Sequence, residues 1–336
     1  MPALAQFASE RTPGTSVPQV KGPFGSLPGK FLAYDVVLTP DRDEPEWWAG
    51  APSVVRDRAG IFWMAARMRN ANPAGNRGYE LRLLRSADGA RFETVKRIGR
   101  EQVGIPGFER PALVEDPRSK KLWLFGCGRW KSDRDPWVIF AFDPADRLAD
   151  VNPASARPVI VPRSPANPRD FPVSDYKDPV IVFAEGSWHC WVIGVMRGVE
   201  RTYHFTSADG ALWQPAGDPY QPVMDLAGWH RFAVRPASVM PLPAGYLFVY
   251  EGSDTNWHDA NYNIATGLAF TFDLHHLIDL TPDSPLVVSS TPGPMFHTWR
   301  YSSWLWVEDE WWVYAEVARP NRTNEIRRFR LRRGAR

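Results

Sequence analysis

The chain reads as an all-β protein, a five-bladed β-propeller, and three features of its sequence predict this. A strand-opening motif recurs five times, and each copy leads through a turn into a second apolar strand. Long helical periodicity is absent, while the 32 prolines and 25 glycines supply the turns of a strand-rich chain. Self-similarity at so long a period marks stacked supersecondary units, because one unit alone cannot bury its apolar faces. Five all-β units in a ring make a propeller, in which the first residues of every innermost strand converge on a central pocket.

The elements follow in order. Four openings carry a proline: Ala51-Pro52-Ser53, Arg110-Pro111-Ala112, Asp178-Pro179-Val180 and Arg235-Pro236-Ala237. Their prolines lie 59, 68 and 57 residues apart, and Arg300-Tyr301-Ser302 is a fifth copy without one. The second strands are expected at 61–66, 122–127, 188–195, 246–251 and 311–316. Outer strands are expected at 80–84, 137–142, 203–206, 267–272 and 326–331. Residues 31–38 alternate well enough to be a strand that closes the ring on blade five. Residues 1–30 are expected to form a poorly ordered arm before a propeller domain spanning 31–336. Ser86-Ala87-Asp88-Gly89-Ala90 recurs as Ser207-Ala208-Asp209-Gly210-Ala211, a hairpin-turn signal that identifies blades one and three as the same unit. The best short helix candidate is 274–280. Three long connections, 67–79, 143–176 and 253–264, are long enough to suggest functional rims.

Composition narrows the function. A net charge of +2 gives no basic field to recruit nucleic acid. Of the 40 basic residues only seven are Lys, so 33 are Arg, whose forks suit carboxylate, sulfate or phosphate. Cys127 and Cys190 sit in apolar strand sequence of different blades and are expected to be buried free thiols. No stretch approaches a membrane span, and the N-terminus lacks the apolar run of a secretory signal, so a cytoplasmic protein is expected. No phosphate-cradling glycine loop, zinc-type histidine pair or nucleophile elbow occurs, so no cofactor or metal is expected. The oligomeric state is not legible.

Strand one of a blade starts at the pocket and strand two returns to it. This places Glu46, Trp47, Trp48, Glu109, Arg110, Lys177, Asp178, His230, Arg235, His297 and Arg300 on one face with Arg67, Arg69, Glu251 and Glu316. An indole such as Trp47 or Trp48 can stack on the apolar face of a sugar ring.

Over residues 45–331 the chain resembles the five-bladed propeller glycosidases of glycoside hydrolase families 43 and 32, and also families 117 and 130. The resemblance rests on blade count, the Asp-Pro strand start and the Ser-x-Asp-Gly turns. Families 43 and 32 place an Asp at the first blade entry, an Asp at the third and a Glu at the fourth. Lys177-Asp178-Pro179 matches the third, whereas Ala51 and Arg235 stand at the first and fourth. The resemblance implies a glycoside hydrolase acting on an oligosaccharide, with Asp178 tuning the acid, Glu251 as proton donor and Glu109 or Glu46 as second carboxylate. His230 or His297 can stand in as donor, since imidazole titrates near neutrality. Arg110, Arg235 and Arg300 would grip a substrate, and their guanidinium forks suit an acidic one. A phosphorylase using Arg-bound phosphate, and a non-catalytic propeller binding glycans or proteins, are the alternatives.

Overall fold

The computed structural model describes residues 31–72, 77–162, 173–289 and 298–332. The proposed arm, residues 1–30, and His297 lie outside the described residues.

The strands group into five antiparallel sets of four. Blade one is β2 (Trp48–Arg56), β3 (Phe62–Arg69), β4 (Gly78–Ser86) and β5 (Glu93–Gly99). Blade two is β6 (Ala112–Glu115), β7 (Leu122–Arg129), β8 (Trp137–Ala141) and β9 (Arg157–Ile160). Blade three is β10 (Asp175–Ala184), β11 (Ser187–Met196), β12 (Val199–Ser207) and β13 (Gln214–Pro215). Blade four is β14 (Ala233–Pro241), β15 (Tyr246–Ser253), β16 (Ala265–Thr271) and β17 (Ile278–Asp279). Blade five is β18 (Trp299–Val307), β19 (Glu310–Ala318) and β20 (Asn324–Arg332), completed by β1 (Asp35–Leu38) from the other end of the chain. That closure is the one expected for 31–38. The first strands of the blades touch in cyclic order, β2 on β6 and so round to β18 on β2, which makes the ring.

Strand alternation explains how the ring is held. Successive side chains point to opposite faces of a blade, so each blade feeds two seams. Cys190 packs against Phe125 and Ile139 of blade two, while Trp191 packs toward Phe248 and Tyr250 of blade four. Val313 likewise joins Val249 and Leu268 of blade four, and Tyr314 joins Met64 and Leu84 of blade one. One apolar cluster fills each of the five seams. Near the axis serines tie neighbouring blades: Ser53 Oγ accepts from Leu113 N at 2.8 Å, and Ser303 Oγ from Val54 N at 3.1 Å.

The twin turns are superposable in their bonding. Asp88 Oδ1 accepts from the N–H groups of Ala90 and Arg91, and Asp209 Oδ1 from those of Ala211 and Leu212, each at 2.8–2.9 Å. Blade four carries a third copy that the sequence hid. Asp273 Oδ1 accepts from His275 and His276 N–H, with buried Leu274 at φ 65° where the other copies have glycine. The helix expected at 274–280 is therefore a turn followed by β17, and among the described residues the α-helical turn, labelled here α1, is Arg100–Val103. Both cysteines are buried and free.

Candidate active site

At the axis the backbone departs from regular strand. β2, β10 and β18 each slip register one step inside the mouth, and the residues at the slip, Ala51, Asp178 and Tyr301, have φ of 51°, 56° and 55°. This left-handed conformation strains a non-glycine residue by roughly 1–3 kcal/mol and persists where surrounding contacts enforce it. For Asp178 those contacts are visible. Its N–H meets Cys127 Sγ at 3.1 Å, its Oδ1 accepts from Arg110 N–H at 3.1 Å, and its Oδ2 accepts from the Tyr301 hydroxyl at 3.2 Å. Asp178 is thus a buried knot of blades two, three and five.

Above it lies a lattice of charge. Glu316, fully buried on β19, accepts from Arg300 Nε and Nη2 at 3.1 and 2.8 Å and from Asn324 Nδ2 at 2.6 Å on one oxygen. Its other oxygen takes Ala51 N–H at 3.0 Å and Arg67 Nη2 at 3.3 Å. A Cβ on Gly50 would fall 1.8 Å from this second oxygen, so only glycine leaves room for the carboxylate. Arg67 also pairs with Glu109, whose side chain keeps 26% of its surface exposed. Burial opposes ionisation of Glu109, but Arg67, Arg69, Lys177 and Arg300 outweigh it and hold its carboxyl below the usual range. Glu316 is held low in the same way by Arg300 and Arg67, against its burial.

A second clasp spans blades three and four. Glu200 on β12 pairs with Lys177 and accepts from Arg235 Nε at 2.6 Å. Burial works against its charge, yet Arg235 and Lys177 bring its carboxyl down to about 2. Glu251, the register partner of Arg235, behaves oppositely: it is fully buried, accepts from Ser302 N–H at 3.0 Å, and burial pushes it up toward the neutral acid.

The predicted residues therefore separate. Asp178 and Glu109 both neighbour Tyr301 at the axis, but Asp178 is buried and neither residue lines the axial cavity expected of them. Glu46 sits on the rim between Arg77 at 2.6 Å and Arg322 at 2.8 Å. Glu251 has no exposed surface, so the donor role implied for it does not fit its position. Arg235 and Arg300 are engaged with Glu200 and Glu316, and Arg110 donates to the carbonyls of Pro236 and Ala237 at 2.9 and 2.6 Å, stapling blade two to blade four. Below Arg110 the axis opens into a cavity of about 410 Å³ among the inner strands. Trp48 is buried with its indole N–H on Arg322 O, under the guanidinium of Arg69, so it is a wall and offers no face to a sugar. Trp47 is half-buried at the rim against Tyr79. His230 is a core residue, its Nε2 3.1 Å from Asp279 and its ring packed on Trp229 and Tyr250.

Among the cations expected on this face Arg69 stands apart, and the structure adds Tyr262 and Asp259 beside it. Arg69 makes no ion pair among the described residues; one Nη donates to the Tyr262 hydroxyl at 3.2 Å, and its buried Nε has no partner there. Tyr262 belongs to the turn that starts at Asp259, whose carbonyl accepts from Tyr262 and Asn263 N–H at 3.0 Å. Asp259 is half-buried with φ 45°, and lies in the long connection expected to be functional. Burial above all, with Glu46 nearby, pushes its carboxyl up, against the Asn261 N–H, His258 and Arg300.

No protein-family model matches the chain, and no curated protein matches it in sequence. Solved structures do match in shape. A glycosyl hydrolase from Bacteroides ovatus has a TM-score of 0.63 at 14% identity, covering 88% of this chain and 93% of its own. The β-1,2-mannobiose phosphorylase of Listeria innocua, in complex with β-1,2-mannobiose, gives 0.62 at 11%, covering 88% and 94%. The α-L-arabinanase of Penicillium chrysogenum, complexed with arabinobiose, gives 0.59 at 14%, covering 90% and 98%. The shared feature is the fold.

Proposed function

We propose that the axial mouth cleaves a glycosidic bond in an oligosaccharide carrying an anionic group. The observation behind this is that Glu109 and Asp259, which share Arg300 as an electrostatic neighbour, have surroundings that push their ionisation in opposite directions. Such a split assigns acid and base roles at one pH. Protonated Asp259 would deliver its proton to the glycosidic oxygen as the bond to the anomeric carbon breaks. Ionised Glu109 would take the proton of the attacking water. Asp178, beneath them, would fix Tyr301 and the blade-two entry and so position Glu109.

The anionic preference rests on charge balance. Around the axis stand six cations, Arg67, Arg69, Arg110, Lys177, Arg235 and Arg300, against the carboxylates of Glu109, Asp178, Glu200 and Glu316, with Glu251 pushed toward neutral. Cations gathered in a largely buried region repel one another unless anions offset them, and an anionic ligand would do so. The same surplus favours a second reading, in which phosphate held near Arg69 replaces water as the nucleophile. The structural likeness to a mannobiose phosphorylase is consistent with that.

Asp259→Asn gives the test. On aryl glycosides with poor leaving groups turnover is expected to fall about 10²–10⁴-fold, the usual contribution of general acid catalysis. Dinitrophenyl glycosides, which need no protonation to depart, should lose far less. Equal losses on both would remove Asp259 from the donor role. Running the same assays with and without inorganic phosphate separates hydrolysis from phosphorolysis.

A further inference from the structure

Away from the axis, three histidines form a continuous ladder across the seam between blades three and four. His189 Nδ1 lies 3.0 Å from His204 Nε2, and His204 Nδ1 lies 3.1 Å from His275 Nδ1. His189 and His204 sit on adjacent strands β11 and β12 and are both buried; His275 belongs to the blade-four turn and is half-buried. Trp191 stacks on His204 with ring centres 4.6 Å apart and planes 8° off parallel. Among the described residues no group of three side chains is arranged to hold a metal ion, and His204 spends one nitrogen on each neighbour.

Proton counting shows what such a ladder does. Three neutral imidazoles carry three ring protons. Two occupy the two N···N bonds, and the third sits on an outer nitrogen, His189 Nε2 or His275 Nε2. A fourth proton fits on the other outer nitrogen. A fifth would set N–H against N–H and break a rung. The closed seam thus accepts one extra proton, whereas three separated histidines accept three.

We propose that this ladder is an acid-sensitive latch between blades three and four, shut at neutral pH and opened by protonation. The carboxylates facing it, Asp273 and Glu185, favour protonation but are outweighed by burial. Asp273 is engaged by His276 Nδ1 at 2.6 Å, and Glu185, near His189, is held by the Tyr246 hydroxyl at 2.5 Å. Burial, with His189 and His275 alongside, brings His204 down to about 3, and His189 and His275 are lowered too, chiefly by burial. The sign follows. Groups lowered in the folded state from 6.5 favour folding above that value, and the benefit is lost as pH falls below it.

The latch lies on the strand that serves the axial site. Glu200, four residues before His204 on β12, holds Arg235 of blade four, and Thr202 Oγ1 between them donates to Val234 O at 3.1 Å. Opening the latch loosens that clasp. Its consequence for turnover rests on the reading of the axial mouth as catalytic; the latch itself does not.

Hydrogen exchange between pH 7.5 and 5.5, corrected for intrinsic rates, tests it without any substrate. Each additional proton taken up on opening shifts the equilibrium by up to about tenfold per pH unit below the free value. In the wild type, peptides covering 199–207 and 233–241 should therefore exchange at least about tenfold faster at pH 5.5, while 48–69 in blade one should not. His204→Phe keeps the ring stack and removes the central titration and both rungs, so the acid-induced gain should fall by about tenfold per pH unit below the free value. If that variant does not fold, His275→Gln cuts the outer rung and should reduce the gain. Equal pH dependence in wild type and variant, or acceleration spread evenly over all blades, overturns the proposal. Absence of turnover on every glycoside would overturn only the catalytic reading.

Discussion

Glu316→Gln is expected to be among the most damaging single substitutions in the chain. The carboxylate is fully buried and is shared by Arg300, Arg67, Asn324 and the Ala51 N–H, so it joins blades one and five at the axis. An amide of the same shape leaves two guanidinium groups facing a neutral partner, and breaking a buried pair in this way costs about 3–5 kcal/mol. Thermal melting should fall by roughly 5–10 °C. A melt within a degree of wild type would show that the lattice is not what closes the ring. Acid should act on the same groups. Glu109, Glu200 and Glu316 are all held below the ordinary carboxylate range when folded, so their contribution is full above about 4.5 and is lost as pH falls through their folded values.

Glu109→Gln should separate function from stability. Glu109 is the partly exposed member of the lattice, and Arg67 keeps Glu316 when Glu109 is neutralised. Turnover is expected to drop about 10²–10⁴-fold. The melting temperature should change by much less than in Glu316→Gln. The wild-type rate should follow a bell, falling toward acid as Glu109 takes up a proton and falling again as pH rises through the raised value of Asp259. Glu109→Gln should lose the acid limb only. A variant that loses both limbs, or that melts as early as Glu316→Gln, would place Glu109 in the scaffold instead.

Much of the fold was legible because it is periodic. The proline-marked openings, the second strands and the twin Ser-x-Asp-Gly turns each repeat, and the clasp by 31–38 follows from the need to complete blade five. The third turn escaped notice because Leu274 adopts the left-handed conformation that glycine marks elsewhere. The site was legible only in part. Asp178 and Glu109 could be placed by register, but the partners of the arginines could not. Arg67 finds Glu316, 249 residues away, and Arg235 finds Glu200 on the neighbouring blade. Sequence spacing carries no trace of such cross-blade pairs, so cations that look available for ligand are already engaged. The signal that was present is the register pairing of Arg300 with Glu316 and of Arg235 with Glu251, the same motif in two blades. His230 was misplaced for a similar reason, its partner Asp279 coming from the outermost strand of its blade. Asp259 sits in irregular backbone, where no periodicity reports a side chain's surroundings.

Arg69 is the cation that carries the central claim. It is buried on Trp48 with no carboxylate partner among the described residues, beside the ionised Glu109. The decisive measurement is kcat/KM for a uronate-bearing oligosaccharide and its neutral analogue, in wild type and in Arg69→Met. Methionine preserves packing on the indole and removes the charge. A charge-assisted hydrogen bond contributes about 1.5–3 kcal/mol, so the variant should lose roughly ten- to a hundredfold on the acidic sugar. It should lose less on the neutral one, where only the support that Arg69 gives to the Glu109 charge is removed. Equal losses on both, or a wild type that prefers the neutral sugar, would contradict an anion-binding catalytic mouth.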